Sequence, residues 1–111
     1  MDLKVKCRFW VESEKGPFLG FGRIELLEKI DELGSINRAA KAMNMAYRQA
    51  WRLVESMNSK AEKPLVEKQT GGKGGGGTYI TPEGKKAIQM FKELEKEFQE
   101  FMDHTSARLV L

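Results

Sequence analysis

The feature that most restricts the fold of this chain is a pair of helical patterns separated only by the short break Asn44-Met45. Ser35 is well placed to cap the first helix, because its hydroxyl can accept a hydrogen bond from a free backbone N–H. The second helix has to end at Pro64, which cannot continue it. Small side chains are needed where two helices cross closely, and the first helix contains three of them: Ala39, Ala40 and Ala42. Two helices joined in this way predict a helix-turn-helix.

The second helix of the pair is predicted to have one apolar face and one polar, cationic face. Its periodicity places five residues on the apolar face: Tyr47, Ala50, Trp51, Val54 and Met57. Arg48, Gln49 and Arg52 lie on the other face, which fits the major groove of DNA, where Arg pairs with guanine and Gln with adenine. Tyr47 is also a candidate contact, whereas Trp51 and Val54 are expected in the core. The alternative is an ordinary helical hairpin with a solvated charged face.

A glycine-rich segment follows, from Gly71 to Gly77, and Lys73 is its one other residue. The flanking stretches LVEKQ and TYIT have the pattern of strands, so the glycines are predicted to form the tip of a β-hairpin. A Walker A phosphate loop is excluded, because no Ser or Thr follows Lys73. A Rossmann loop is excluded as well, since a strand follows where that loop needs a helix. The helix-turn-helix and this hairpin together predict a winged helix, with Lys68, Lys73 and Gly74 against the DNA backbone.

The two ends of the chain are predicted to be a hairpin and a long helix. Apolar and polar residues alternate near the N-terminus, which is the pattern of a strand whose buried side has five residues: Leu3, Val5, Cys7, Phe9 and Val11. Thr81 is a candidate N-cap and Pro82 a first-turn residue of the last helix. That helix has an apolar seam with coiled-coil spacing, which we expect to form a dimer interface: Phe91, Leu94, Phe98 and Phe101. The alternative, above all for Phe91, is packing within the single chain.

The charge distribution supports binding to a polyanion. The net charge of the chain is only +3, but residues 35–77 contain eight Lys or Arg and three acidic residues. A basic middle between mildly acidic ends indicates a localised patch for nucleic acid. With one cysteine and one histidine, the sequence predicts neither a disulfide nor a metal site. Because it has no transmembrane stretch and no signal-peptide pattern, we expect a cytoplasmic protein without a membrane partner.

Three parts of the sequence carry a specific resemblance. The stretches GRIELLEKIDELGSINRAAKAMNMAYRQAWRLVESMN and PLVEKQTGGKGGGGTYITPEG, with the N-terminal strand, look like the DNA-binding domain of the ModE family of molybdate-responsive transcription regulators. The helix-turn-helix also resembles that of LysR-type regulators. The resemblance implies a winged helix that dimerises through its long C-terminal helix and reads a palindromic DNA site.

The sequence departs from the ModE pattern in two places. Nothing in it corresponds to the C-terminal molybdate-binding domains, so the resemblance does not carry molybdate binding over to this sequence. We expect no cofactor. Ala46 begins the DNA-reading helix, where this family commonly has a capping Ser. An Ala cannot cap, which costs about 1 kcal/mol unless Asn44 takes over the role.

The sequence therefore predicts a single α+β, mainly α domain over residues 1–111, a winged helix-turn-helix. Its parts are an N-terminal hairpin (3–19), three helices (22–62), a wing (65–81) and a C-terminal dimerisation helix (82–103). The expected function is sequence-specific binding of double-stranded DNA by a homodimeric transcriptional regulator that is neither an enzyme nor a nucleotide binder. The predicted DNA-binding residues in the helix-turn-helix are Ser35, Asn37, Arg38, Ala46, Tyr47, Arg48, Gln49 and Arg52. The alternatives are a protein-interaction module and a subunit of an oxyanion- or redox-responsive regulator.

Overall fold

The computed structural model describes residues 1–69 and 77–111. The elements follow the predicted order: β1 (Val11–Ser13), β2 (Gly16–Leu19), α1 (Phe21–Leu33), α2 (Ile36–Ala42), α3 (Tyr47–Lys60), β3 (Val66–Lys68), β4 (Thr78–Ile80) and α4 (Pro82–Ser106). The strands form two separate antiparallel hairpins, β1 with β2 and β3 with β4. The mainly helical winged-helix architecture is therefore confirmed.

Helix α1 is the centre of the core, because it is buried on more than one side. Leu26 and Leu27 are adjacent in sequence, yet both are fully buried, with Ile24 and Ile30 beside them. Consecutive helical residues point about 100° apart, so a helix that buries both must have neighbours on two sides. For α1 these neighbours are α2 and α3 on the one hand and β4 and α4 on the other. The helix ends at Gly34, whose left-handed backbone (φ 69°) and N–H bond to the Ile30 carbonyl form a common helix stop.

The N-terminal segment differs from the prediction. The alternating pattern predicted a strand from Leu3, but β1 begins only at Val11, and the preceding residues run along α4 without strand pairing. The Val5 N–H donates to Ser106 Oγ over 2.7 Å at the far end of α4. Apolar and polar residues also alternate when an extended segment packs one of its sides against a helix, and this explains the sequence pattern. Cys7, expected to be buried, is exposed.

Four phenylalanines hold this segment against α1 and α4. The ring of Phe9 stacks on Phe91 and Phe98, with ring centroids 4.8 Å and 4.5 Å apart. Phe21, at the start of α1, meets Phe9 and Phe91 edge to face. Such aromatic pairs add about 0.5–1.5 kcal/mol each to the burial of the rings. The cluster therefore fixes the N-terminal segment to the middle of α4.

The start of β3 is the point where α3, the wing and α4 meet. Asn58 of α3 accepts the N–H of Leu65 with Oδ1, over 2.8 Å, and donates from Nδ2 to the carbonyl of Val66. On the other side, the Thr81 N–H donates to the Leu65 carbonyl over 3.0 Å. The Thr81 hydroxyl donates to the Pro64 carbonyl and accepts the N–H of Gly84. Thr81 is thus the buried N-cap of α4, as predicted.

Helix α4 continues well beyond this junction. It has 25 residues and a length of about 37 Å. Its first half is buried at Ala87 and Phe91, and Lys92 forms an ion pair with Glu28 of α1. Past Leu94 most of its side chains are exposed. Across residues 1–69 and 77–111, no helix combines the length and apolarity that crossing a membrane requires.

We predict that Gly84→Ala destabilises the fold by about 2–3 kcal/mol. A Cβ at this position would overlap with the Leu65 carbonyl oxygen and with Cγ2 of Ile80, so either the helix or β3 has to move. Gly22→Ala is a matched control, because Gly22 is also helical and a Cβ there meets nothing within 4 Å. Thermal unfolding at equal protein concentration should show a lower midpoint for Gly84→Ala alone. Equal midpoints for both variants would contradict the close approach at Leu65.

Candidate nucleic-acid interface

The turn between α2 and α3 has a tight, regular geometry. The Asn44 backbone lies in the left-handed region, with φ 53°, which Asn tolerates better than most residues. The Met45 N–H then donates back to the Ala40 carbonyl over 2.9 Å. Ala39 and Ala40 are fully buried, so the two helices approach closely, as the small residues predicted. This turn sets the angle at which α3 leaves the core.

The outward face of α3 contains the predicted polar residues and two aromatic ones. Arg48, Gln49 and Arg52 are exposed, while Ala50, Val54 and Met57 form the buried stripe of the helix. Tyr47 is 48% exposed and Trp51 is 41% exposed. The expectation that Trp51 lies in the core is therefore wrong, whereas that for Val54 is correct. Helical periodicity did not reveal this, because Trp51 lies next to the buried stripe and only the packing of α1 and α2 shows where the stripe ends.

The first turn of α3 is uncapped. No side chain accepts a hydrogen bond from its free backbone N–H groups, either at Ala46 or from Asn44. No acidic residue lies in this turn. The free N–H groups and the helix dipole therefore leave positive electrostatic potential at the start of α3, which favours a nearby anion.

The start of α2 is capped as predicted. Ser35 Oγ accepts the N–H of Arg38 over 3.1 Å, and the hydroxyl keeps its own proton for another acceptor. The side chains of Asn37 and Arg38 are exposed. The candidate contacts of α2 thus lie together in its first turn.

The wing is fastened to this turn at its base. Val66, Glu67 and Lys68 of β3 pair with Ile80, Tyr79 and Thr78 of β4. The Thr78 N–H also donates to the Gly34 carbonyl, 2.9 Å away, immediately before Ser35. Lys68 is exposed. The other two predicted wing contacts, Lys73 and Gly74, lie outside the described residues.

One cross-strand pair on the wing is a hydrogen bond that changes the pKa of a tyrosine. The Tyr79 hydroxyl donates to Glu67 Oε2 over 2.7 Å. This hydrogen bond to the carboxylate raises the pKa of Tyr79, because loss of the phenolic proton would break the bond. The pair lies on the exposed side of the hairpin, where it stabilises the register of the two strands.

The four predicted dimer residues fall into two groups. Phe91 is only 1% exposed, because Phe9 and Phe21 cover its ring, so it belongs to the core of the single chain. Leu94 is half-buried, Phe98 is 37% exposed and Phe101 is 60% exposed. Met90, one turn before Leu94 on the same face of the helix, is also exposed. The apolar surface available to a partner therefore runs along α4 from Met90 to Phe101.

Comparison with known proteins places this geometry in a family. The model of the bacterial regulatory helix-turn-helix protein, lysR family, matches residues 21–85, more than half of the chain. The chain belongs to this family. The matched range begins with α1, includes α2, α3 and the wing, and ends in the first turn of α4.

Individual relatives confirm the resemblance of this LysR-family chain to ModE. It is 42% identical over 103 residues to the molybdenum transport protein ModE of Azotobacter vinelandii, covering 93% of the chain and 38% of the relative. It is also 42% identical over 81 residues to the DNA-binding transcriptional dual regulator ModE of Escherichia coli, covering 73% and 31%. The chain spans about a third of the length of these relatives.

A solved structure supports the fold. The LysR family transcriptional regulator VV2_1132 superimposes with a TM-score of 0.56 at 21% sequence identity, covering 73% of this chain and 26% of that one. At this level of identity the likeness concerns the winged-helix fold alone.

We predict that Ser35→Ala lowers the free energy of unfolding by about 1 kcal/mol, because it removes the N-cap of α2. Ser35→Asp is the matched control, since a carboxylate also accepts the Arg38 N–H and favours a helix N-terminus. Chemical denaturation of the three proteins should therefore rank Ser35→Ala lowest and leave Ser35→Asp close to the parent. An Ala variant as stable as the parent would show that the cap contributes nothing.

Proposed function

We propose that this LysR-family chain binds double-stranded DNA in a sequence-specific manner and acts as a transcriptional regulator. The observation that carries the proposal is the outward face of α3, where Arg48, Gln49 and Arg52 are exposed on a winged-helix scaffold. The names of its relatives support it, since one is a DNA-binding transcriptional regulator. Bacterial DNA lies in the cytoplasm, so we propose that location as well.

In this proposal α3 enters the major groove. Arg48 and Arg52 are one turn apart and project from the same face, so each can reach the edge of a different base pair. Arg makes bidentate hydrogen bonds to guanine, and Gln49 can do the same with adenine. No hydrogen bond or ion pair within the described part of the chain occupies the side chains of Arg48, Gln49 or Arg52. Their donors are available to a ligand.

Contacts to the DNA backbone are proposed for the start of α2 and for the wing. Ser35, Asn37 and Arg38 offer a hydroxyl, an amide and a guanidinium, which are common phosphate donors. Lys68 on β3 adds a positive charge, and the wing proposal extends to Lys73 and Gly74. The bond between Thr78 and Gly34 holds the wing base next to α2, so both elements would approach the same duplex together.

We also propose a homodimer formed through one face of α4, between Met90 and Phe101. Met90, Leu94, Phe98 and Phe101 form an apolar stripe on a helix that projects from the core. Apolar residues at this spacing are typical of helices that pair. A twofold dimer would present two α3 helices to two half-sites of a palindrome. Molybdate binding and catalysis are not included in the proposal.

The DNA-binding proposal predicts that Arg48→Ala with Arg52→Ala removes most of the sequence preference. Each lost bidentate contact lowers discrimination between a correct and a wrong base by about 1–3 kcal/mol. The Kd can be measured by fluorescence anisotropy for two duplexes, one selected from random sequences by the parent protein and one of unrelated sequence. The ratio of the two Kd values, at several salt concentrations, gives the sequence preference of each variant. Affinity of the parent protein should fall steeply as salt rises, because phosphate contacts release counterions.

The charge-conserving pair Arg48→Lys with Arg52→Lys is the control for this experiment. Lysine keeps the positive charge but lacks the planar fork of donors. This variant should retain salt-dependent binding to any duplex and lose most of the preference. A Lys variant that keeps the full sequence preference, or a parent protein that does not bind DNA, would contradict the assigned role of α3.

The dimer proposal predicts that Phe101→Ala shifts the protein towards the monomer. The side chain is 60% exposed in the single chain, so its removal should cost association rather than folding. Glu100→Ala is the control, because Glu100 is also exposed but points away from the apolar stripe. Sedimentation velocity over a concentration series should show weaker association for Phe101→Ala only. An unchanged dimer, or a parent protein that is monomeric throughout, would overturn the proposed interface.

A further inference from the structure

Two aromatic side chains lie beside the arginines on the outward face of α3. Tyr47 and Trp51 are one turn apart, and with Arg48 and Arg52 they line a shallow concavity of about 460 Å³. Both rings are more than two-fifths exposed. A single exposed apolar residue is common on protein surfaces, whereas adjacent exposed aromatic rings indicate a binding surface.

The fold does not account for these two rings. The buried stripe of α3 is made by Ala50, Val54 and Met57 and is complete without them. In the ranges that the structure describes, neither the Tyr47 hydroxyl nor the Trp51 indole N–H forms a hydrogen bond. The rings also form none of the aromatic pairs of the core, which involve phenylalanines alone. Their exposed surface is therefore available to a ligand of the same face.

The chemistry of the major groove limits what these rings can contact there. Base edges in this groove present hydrogen-bond donors and acceptors, and the one apolar group among them is the C5-methyl of thymine. We propose that Tyr47 and Trp51 read thymine methyl groups and so contribute to sequence specificity. This inference rests on the proposed function, because it needs α3 in the major groove.

The spacing of the residues makes the proposal more specific. Tyr47 and Trp51 are separated by about 6 Å along the helix axis, and stacked bases by about 3.4 Å. The two rings therefore reach base pairs about two steps apart. Arg48 and Arg52 have the same spacing and follow each ring by one residue. A half-site is thus expected to contain two thymines about two positions apart, close to the bases that the arginines read.

The test removes the methyl groups one at a time. A preferred duplex is first selected from random sequences with the parent protein. Each thymine of the half-site is then replaced by deoxyuridine, which differs only by the C5-methyl, and the Kd is measured for each duplex. Loss of one buried methyl corresponds to about 0.8 kcal/mol, so the parent should bind about fourfold more weakly at one or two positions. Deoxyuridine in flanking DNA is the control and should leave the Kd unchanged.

Variants of the protein test whether the weaker binding of the deoxyuridine duplexes depends on the two rings. Trp51→Ala should bind more weakly than the parent and should lose the deoxyuridine effect at one position, while Tyr47→Ala should lose it at the other. Trp51→Phe keeps an apolar ring and should keep part of the effect, which covers the case in which the Ala variant does not fold. Circular dichroism and thermal unfolding would establish the fold of each variant.

Three results would overturn the inference and leave DNA binding intact. These are a preferred half-site without thymine near the guanines, deoxyuridine duplexes that bind as tightly as the parent duplex, and methyl effects that persist in the ring variants. The last two results would mean that the rings contact sugars or phosphates, or nothing at all. Absence of DNA binding by the parent protein is a different failure, because it would remove the proposed function itself.

Discussion

The arrangement of the molecule depends on the backbone of Leu65, because its hydrogen bonds join three elements. Its N–H is accepted by Asn58 from the end of α3, and its carbonyl accepts the N–H of Thr81 at the start of α4. Gly84 permits the first turn of α4 to lie directly against that carbonyl. A buried polar group costs energy unless it is bonded, so any displacement of α3 relative to α4 would leave unpaired groups here. The positions of α3, the wing and α4 relative to one another are therefore fixed at Leu65.

This junction separates two surfaces that serve different purposes in the proposed regulator. Asn58 is bonded at the C-terminal end of α3, so the N-terminal half of that helix, with Arg48 and Arg52, is free of the junction. Helix α4 starts at the junction and projects its apolar stripe away from it. A rigid connection between the two matters for a dimer, since the spacing of the two α3 helices has to match the spacing of the DNA half-sites.

Local features of the sequence predicted most of the fold, because their causes are local. The caps Ser35 and Thr81, the stop at Gly34 and the small residues of α2 each act within one or two turns of chain. Expectations were wrong where tertiary packing decides the outcome. The alternating residues before Val11 predicted a strand, but the same alternation suits a segment lying on α4. Trp51 was expected in the core, but the width of a buried stripe depends on what packs against it.

Helix α3 is stabilised at one end and left exposed at the other. Its first turn has no side-chain cap, and two aromatic rings in its first two turns remain partly in water. A capping Ser at position 46 would add about 1 kcal/mol, but it would also occupy a backbone N–H that can otherwise bind a phosphate. The stability of the helix comes instead from the buried Ala50, Val54 and Met57 and from the bonds of Asn58. A helix whose N-terminal half binds another molecule is expected to be stabilised at its other end. Groups that already form hydrogen bonds within the fold are not available to a ligand.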